Sequence, residues 1–264
     1  MSHERIIKLP HIFNCRELGG YRTHTGYSIK WHKFLRSAHL NDLTALELDY
    51  LYNYGVRVVI DLRSPSETTT FPDVLDSRFR YLKIPVFTTD WTASNSNSQD
   101  IRNNFSQNPQ AGYLRMLQVY RRLIITSEAQ AAYRKFLAIL LANAGKAGIL
   151  FHCSAGKDRT GFAAILILNL LEVSEATIQS DYLLTNAASQ KRINQRLQDV
   201  RDHHMSACYQ NSIYDLSTVK FDYYEQALSL INYEYGGMRT YLREVLQISQ
   251  QQQQELQQHY LLKL

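Results

Sequence analysis

Among 264 residues there are three cysteines, Cys15, Cys153 and Cys208, widely spaced and with no C-x-x-C pair. That count excludes a disulfide framework and a cysteine-rich zinc site, and it fits a reducing compartment. Long apolar runs are also missing. Nothing approaches the roughly 18 residues that would span a bilayer, and the first eight residues lack the apolar centre of a signal peptide, so no stable membrane insertion and a cytoplasmic location are expected. Export without a signal peptide would leave no trace in such a sequence. Five prolines and eleven glycines leave little material for extended disorder. No zinc-finger, RNA-recognition or helix-turn-helix signature accompanies the charge, so nucleic acid is not an expected partner. No repeat or boundary divides the chain, which reads as one unit over 1–264, with a monomer favoured.

What is present is apolar and mildly basic. The chain is 45% hydrophobic, enough for a sizeable core, and carries a net charge of +5 that suits anionic partners. Val56 to Ile60 is a continuous β-branched run, Tyr81 to Phe87 and Ile149 to Phe151 read as further strands, and helical patterns alternate with them. The expected fold is therefore α/β, a central mostly parallel sheet flanked by helices. Two β-like pieces are expected around Thr25-Gly26, Asn41-Asp42 as the cap of a helix closed by Gly55, and a polar mobile loop or lid over 88–109. Residues 187–264 read as a helical C-terminal part, with Gln250 to Gln254 on a solvated helix face.

The stretch HCSAGKDRTG, His152 to Gly161, follows the strand Ile149 to Phe151 and precedes the helix Phe162 to Leu171, apolar nearly all round. A strand, a tight loop and a helix start turn backbone N–H groups toward one point, which makes a cradle for an oxyanion. Cys153 would lie at its floor, where the amides and the helix terminus favour a thiolate nucleophile. Ser154, Ala155, Gly156, Lys157 and Thr160 would surround the anion, and Arg159 would return its planar fork to the rim to grip two oxygens, a task lysine cannot perform. Thr160 is also placed to reach the sulfur, and His152 to support the loop from behind. Six positions fitting one template, at about one in twenty each, arise by chance a few times in a million. A buried cysteine at a strand end is the simpler reading of an isolated thiol, and a nucleotide-binding loop needs a second glycine that is missing here.

His152 to Gly161 resembles the H-C-x-x-x-x-x-R-[ST] signature of cysteine-dependent phosphatases, and the internal Gly-Lys-Asp-Arg resembles the atypical bacterial and fungal tyrosine phosphatases. Asn14-Cys15-Arg16-Glu17-Leu18-Gly19-Gly20 is similar to that family's N-x-R-x-x-G-G segment, Asp61-Leu62-Arg63-Ser64 with Glu67 to its D-L-R-S-x-x-E segment, and Asp181 to Asn186 to the helix after its active site. The resemblance implies a phosphatase fold, a cysteinyl-phosphate intermediate and no metal or other cofactor. It also implies substrates that include phosphotyrosine proteins, phosphoserine or phosphothreonine, and phosphoinositides.

No W-P-D loop supplies a leaving-group acid. Asp158 beside a bound phosphate dianion would be kept protonated by like charge and could serve, or it could instead be a loop carboxylate paired with Arg63 or Arg16. Asp90 is the next candidate. Lys157 is expected to point to the mouth, toward a second anionic group or simply to solvent, and Lys30, His32, Lys33 and Arg36 either extend that basic rim or decorate an edge strand. Asn14, Arg16, Gly19-Gly20, Asp61 and Arg63 are expected to brace the loops. Cys15 and Cys208 read as structural thiols, and adjacent His203 and His204 face apart. The competing functions are a catalytically inactive phosphate-recognition module and a sulfur-transfer or arsenate-reducing enzyme.

Overall fold

The computed structural model describes residues 4–89 and 99–263. Five strands form the main sheet: β1 (Arg16–Glu17), β3 (Phe34–Ser37), β4 (Val56–Asp61), β5 (Arg80–Lys83) and β6 (Gly148–His152). Their order is β1-β3-β6-β4-β5, parallel throughout except for the antiparallel edge strand β1. β6 is central and buried along its whole length, as the apolar Gly148-Ile149-Leu150-Phe151 run requires. A separate pair joins β2 (Tyr27–Ile29) to β7 (Leu261–Lys263).

α1 (Ala45–Tyr54) is capped by Thr44, two residues after the expected Asn41-Asp42. Thr44 and Glu47 form a reciprocal capping box that outcompetes the earlier residues, and Gly55 closes the helix at φ 108. α2 (Pro65–Thr70) is capped in the same way by Ser64 and Glu67. The strand expected over Tyr81 to Phe87 is confined to β5, and only one of the two pieces around Thr25-Gly26 is a strand.

Part of the expected loop over 88–109 is α3 (Gln99–Gln107), and Asp90 lies outside the described residues. Phe105 in α3 is buried and meets the Tyr209 ring edge-on, so one aromatic anchors a helix whose polar composition hid it. α4 (Ala111–Ile125) and α5 (Ser127–Ala142) share the core that contains Phe151, with the Phe136 ring of α5 edge-on to it. α6 (Asp158–Leu170) is buried on nearly every side, as expected from its apolar sequence.

The C-terminal part comprises α7 (Glu175–Ala188), α8 (Gln190–Asp202), α9 (Ala207–Ser217), α10 (Phe221–Tyr235), the short α11 (Met238–Thr240), a π turn over Tyr241–Val245, and α12 (Gln250–Tyr260). Its apolar side chains belong to the same core that contains Leu18, Phe151 and Phe162, with Tyr260 packed against Phe34. The glutamine run is not wholly solvated, because Gln253 and Gln257 both donate to the Leu170 carbonyl.

Candidate active site

The carboxyl ends of β3, β4 and β6 meet at one edge of the sheet, where parallel strands place binding sites. A pocket of about 500 Å³ opens there. Cys153, Ser154, Ala155, Lys157, Asp158 and Arg159 line it from the β6–α6 loop, Arg63 and Glu67 from the segment after β4, and Arg192, Ile193 and Arg196 from α8. Cys153 is 2% exposed and faces this cavity.

The loop's carbonyls are drawn outward. Ser154 O accepts from His39 N at 3.3 Å, and Asn14 Nδ2 donates to Ala155 O at 3.0 Å and to Gly156 O at 2.8 Å. Arg36 Nη2 adds a second bond to Gly156 O at 3.0 Å. In a trans peptide the N–H points opposite the preceding C=O, so these contacts turn the amides of Ala155, Gly156 and Lys157 toward the cavity. The first turn of α6 begins at the same place without a side-chain cap, leaving its own N–H groups for an anion. Gly156 is required at φ 63, because a Cβ there would lie 2.3 Å from Ser37 O.

Arg16 and Arg36 are fully buried and converge on Asp181, at 3.2 and 2.8 Å, and Arg16 also donates to Asn14 Oδ1 and Thr185 Oγ1. Arg36 therefore belongs under the loop, where the expected basic rim does not extend. Lys30 and Lys33 turn to the carbonyls of His259 and Lys146, and His32 Nδ1 lies 3.0 Å from Tyr54 O. Gly19 and Gly20 lie against Trp31.

On the other flank, Arg63 Nη2 bonds Asp61 Oδ2 at 2.7 Å and Asp73 Oδ2 at 2.8 Å. Asp73 Oδ2 also meets His152 Nε2 at 3.1 Å and takes the Leu40 amide on Oδ1. Burial alone would push the His152 pKa down, but the carboxylates of Asp61 and Asp73 more than offset it and hold it above the ordinary value.

The Arg159 guanidinium is 1% exposed and is held by Glu67, so it does not return to an open rim. Glu67 also accepts from the Ser154 and Ser64 hydroxyls. Burial pushes its pKa up, yet Arg159 and these donors bring it down to about 2. From its residues alone, Glu67 has a place in a motif and no role. Asp73 and Tyr120 were not singled out, since only the fold brings them to the site.

Asp158 is not paired with Arg63 or Arg16. Its Oδ1 accepts from Tyr120 OH at 3.0 Å and from Lys157 Nζ at 3.2 Å, and Tyr182 OH in turn donates to Tyr120 OH at 2.8 Å. Lys157 is 3% exposed and neither points to the mouth nor stands in solvent; its ammonium also donates to Thr218 O at 3.1 Å. Thr160 Oγ1 is buried and has no hydrogen-bond partner among the described residues.

A family model described as the tyrosine phosphatase family matches residues 7–262. The chain belongs to that family. It is a protein-tyrosine phosphatase, a phosphoric monoester hydrolase. It is 29% identical over 254 residues, 95% of the chain, to a protein of Cupriavidus necator that bears a tyrosine-protein phosphatase name, covering 86% of that relative. It is 26% identical to the triple specificity protein phosphatase PtpB of Mycobacterium tuberculosis, with 90% of this chain and 93% of that one covered. A tyrosine-protein phosphatase of Nostoc commune is 32% identical over 154 residues, 58% of this chain and 48% of that protein. Among the described residues, no helix of this phosphatase is long and apolar enough to cross a membrane.

Proposed function

We propose that the phosphatase hydrolyses phosphotyrosine through a cysteinyl-phosphate formed on Cys153. The observation that carries this reading is the set of loop carbonyls turned outward around Cys153, with the Arg159 fork fixed beside it. The phosphate oxygens would take the inward amides and exchange with, or add to, the contacts of Arg159. The Cys153 thiolate attacks phosphorus in line, the S–P bond forms as the P–O bond to tyrosine breaks, and Asp158 gives its proton to the leaving phenol oxygen. Water then attacks the phosphoenzyme, Asp158 takes its proton, and the S–P bond breaks to release phosphate and the thiolate. Ser154, Ala155, Gly156, Lys157 and Thr160 hold the anion in this reading, with Lys157 contributing its backbone amide because its ammonium is engaged by Asp158 and Thr218.

Residues 1–264 act as one unit, since side chains of the C-terminal helices complete both the core and the pocket wall. Rapid mixing with an aryl phosphate tests the reading against an inactive recognition module. A burst of phenol followed by continued turnover is expected, and Cys153→Ser should abolish both. Retained turnover in Cys153→Ser would overturn it. Phosphoserine peptides and phosphoinositides in the same assay rank the substrates that the family likeness implies.

A further inference from the structure

Asp158 is held by two donors, and α7 holds both of them. Tyr120 OH and Lys157 Nζ reach the same carboxylate oxygen, Oδ1, at 3.0 and 3.2 Å. An oxygen that already accepts two donors is a poor seat for a proton, so the proton that Asp158 gives falls to Oδ2. Both donors must stay in place for Oδ2 to face the leaving oxygen, because an acid transfers its proton over a gap of only about 3 Å.

Each donor is fixed from behind by one side chain. Tyr182 OH donates to Tyr120 OH at 2.8 Å, so Tyr120 keeps its own proton for Asp158. Burial pushes both phenol pKa values well above the ordinary range, which keeps the hydroxyls running in that one direction. On the other side the Thr218 carbonyl accepts from Lys157 Nζ at 3.1 Å, and the N–H of the same peptide unit, carried by Val219, donates to Asn186 Oδ1 at 2.8 Å. Asn186 Nδ2 closes the clasp on Val219 O at 2.9 Å. A trans peptide is rigid, with its N–H opposed to its C=O, so Asn186 sets the position of the oxygen that Lys157 meets.

Tyr182 and Asn186 are four residues apart and share one face of α7. Asp181 and Thr185, each one residue earlier, hold Arg16, and Asp181 also holds Arg36, under the β6–α6 loop. One pair on the helix therefore reaches the anion cradle and the other reaches the acid. We propose that Tyr182 and Asn186 are positioning residues for proton transfer to the leaving group, Tyr182 acting through Tyr120 and Asn186 through the Thr218–Val219 peptide and Lys157. The inference rests on Asp158 as the acid and goes beyond that reading by naming the residues that aim it. As the P–O bond to the phenol breaks, the Oδ2 proton passes to the leaving oxygen, and loss of either support lets the carboxyl turn away from that oxygen. A phenol too weakly acidic to leave as an anion feels this loss; p-nitrophenol, which leaves readily without a proton, feels it far less.

The test compares kcat and KM on phenyl phosphate and p-nitrophenyl phosphate for the wild type, Tyr182→Phe, Asn186→Ala and Thr185→Val, with the first two substitutions also made in Asp158→Asn. Tyr182→Phe and Asn186→Ala are each expected to lower kcat on phenyl phosphate by about three- to tenfold, the scale of one hydrogen bond, with KM changing less and p-nitrophenyl phosphate much less affected. In Asp158→Asn neither substitution should lower kcat on phenyl phosphate further. Thr185→Val should instead slow both esters by the same factor and weaken inhibition by inorganic phosphate, which reads the cradle. Tyr182→Phe removes a single oxygen and keeps the test decisive should Asn186→Ala fail to fold. Equal losses on the two esters in Tyr182→Phe, with phosphate inhibition weakened as in Thr185→Val, would overturn the assignment. So would a loss that adds in full to that of Asp158→Asn. An Asp158→Asn variant that slows both esters equally would instead sink the acid itself, which separates the two failures.

Discussion

Both terminal nitrogens of Arg159 bond the carboxylate of Glu67, Nη1 to Oε2 at 2.6 Å and Nη2 to Oε1 at 2.8 Å. The pairing fixes the plane of the guanidinium before any phosphate arrives, and it joins the α2 cap to the α6 start. Arg159→Lys, which keeps the charge and loses the fork, should lower kcat on aryl phosphates by about 10²- to 10³-fold. Glu67→Gln should lower kcat more than it raises KM, because the fork is present but less well held. Steady-state kinetics on p-nitrophenyl phosphate checks both, and equal activity of Arg159→Lys and wild type would remove the fork from the mechanism.

Tyr120 and Lys157 both donate to Asp158 Oδ1. With Asp158 as leaving-group acid, Asp158→Asn should reduce turnover of esters of poorly acidic phenols by about 10²- to 10⁴-fold, and affect p-nitrophenyl phosphate far less. Tyr120→Phe removes one of the two donors that fix the Asp158 carboxyl, so kcat for esters of poorly acidic phenols should fall while KM changes less. A leaving-group series over several pH values decides it. A flat response to leaving-group acidity in Asp158→Asn would pass the role to another residue.

Buried His152 and half-buried His39 should pull stability in opposite directions with pH. His152 has its folded pKa raised, so its contribution is complete below about pH 6.5 and is lost as pH rises through the folded value. His39 has its folded pKa lowered to about 4, so the wild type loses stability as pH falls from about 6.5 toward 4. Urea midpoints from pH 4 to 8 should show the deficit of His152→Gln narrowing toward alkaline pH, and His39→Gln sparing the protein part of its acid loss. Parallel curves for wild type and His152→Gln would contradict the ion pair with Asp73.

Gly156→Ala places a methyl group 2.3 Å from Ser37 O in a left-handed backbone. The loop must shift or the strand end must move. Thermal unfolding should show a loss of at least about 1 kcal/mol, and orthovanadate affinity should fall with it. Unchanged vanadate binding would mean that the cradle tolerates the displaced amide.

The local part of this architecture was legible in the residues. β4, β6 and the apolar helix α6 follow from runs that need no partner to be read, and the loop between β6 and α6 carries its chemistry within ten positions. Partnerships were less accessible. Arg36 reads as a rim or an edge-strand charge because strand position says nothing of which loop lies above it, and Lys157 reads as a mouth or a solvated lysine because nothing local shows that the α9–α10 joint covers it. Asp73 sits in an irregular segment with no periodicity to mark it. α3 escaped notice because Phe105, the buried contact described for it, is set in Asn, Ser and Gln, whose composition favours a loop.

Lys157 shares its ammonium between Asp158 Oδ1 and the backbone oxygen of Thr218, a residue of the joint between α9 and α10. The α9–α10 joint and the Asp158 carboxylate consequently draw on one nitrogen. A substitution at the α9–α10 joint that displaces the Thr218 carbonyl would therefore also loosen the ammonium held against Asp158.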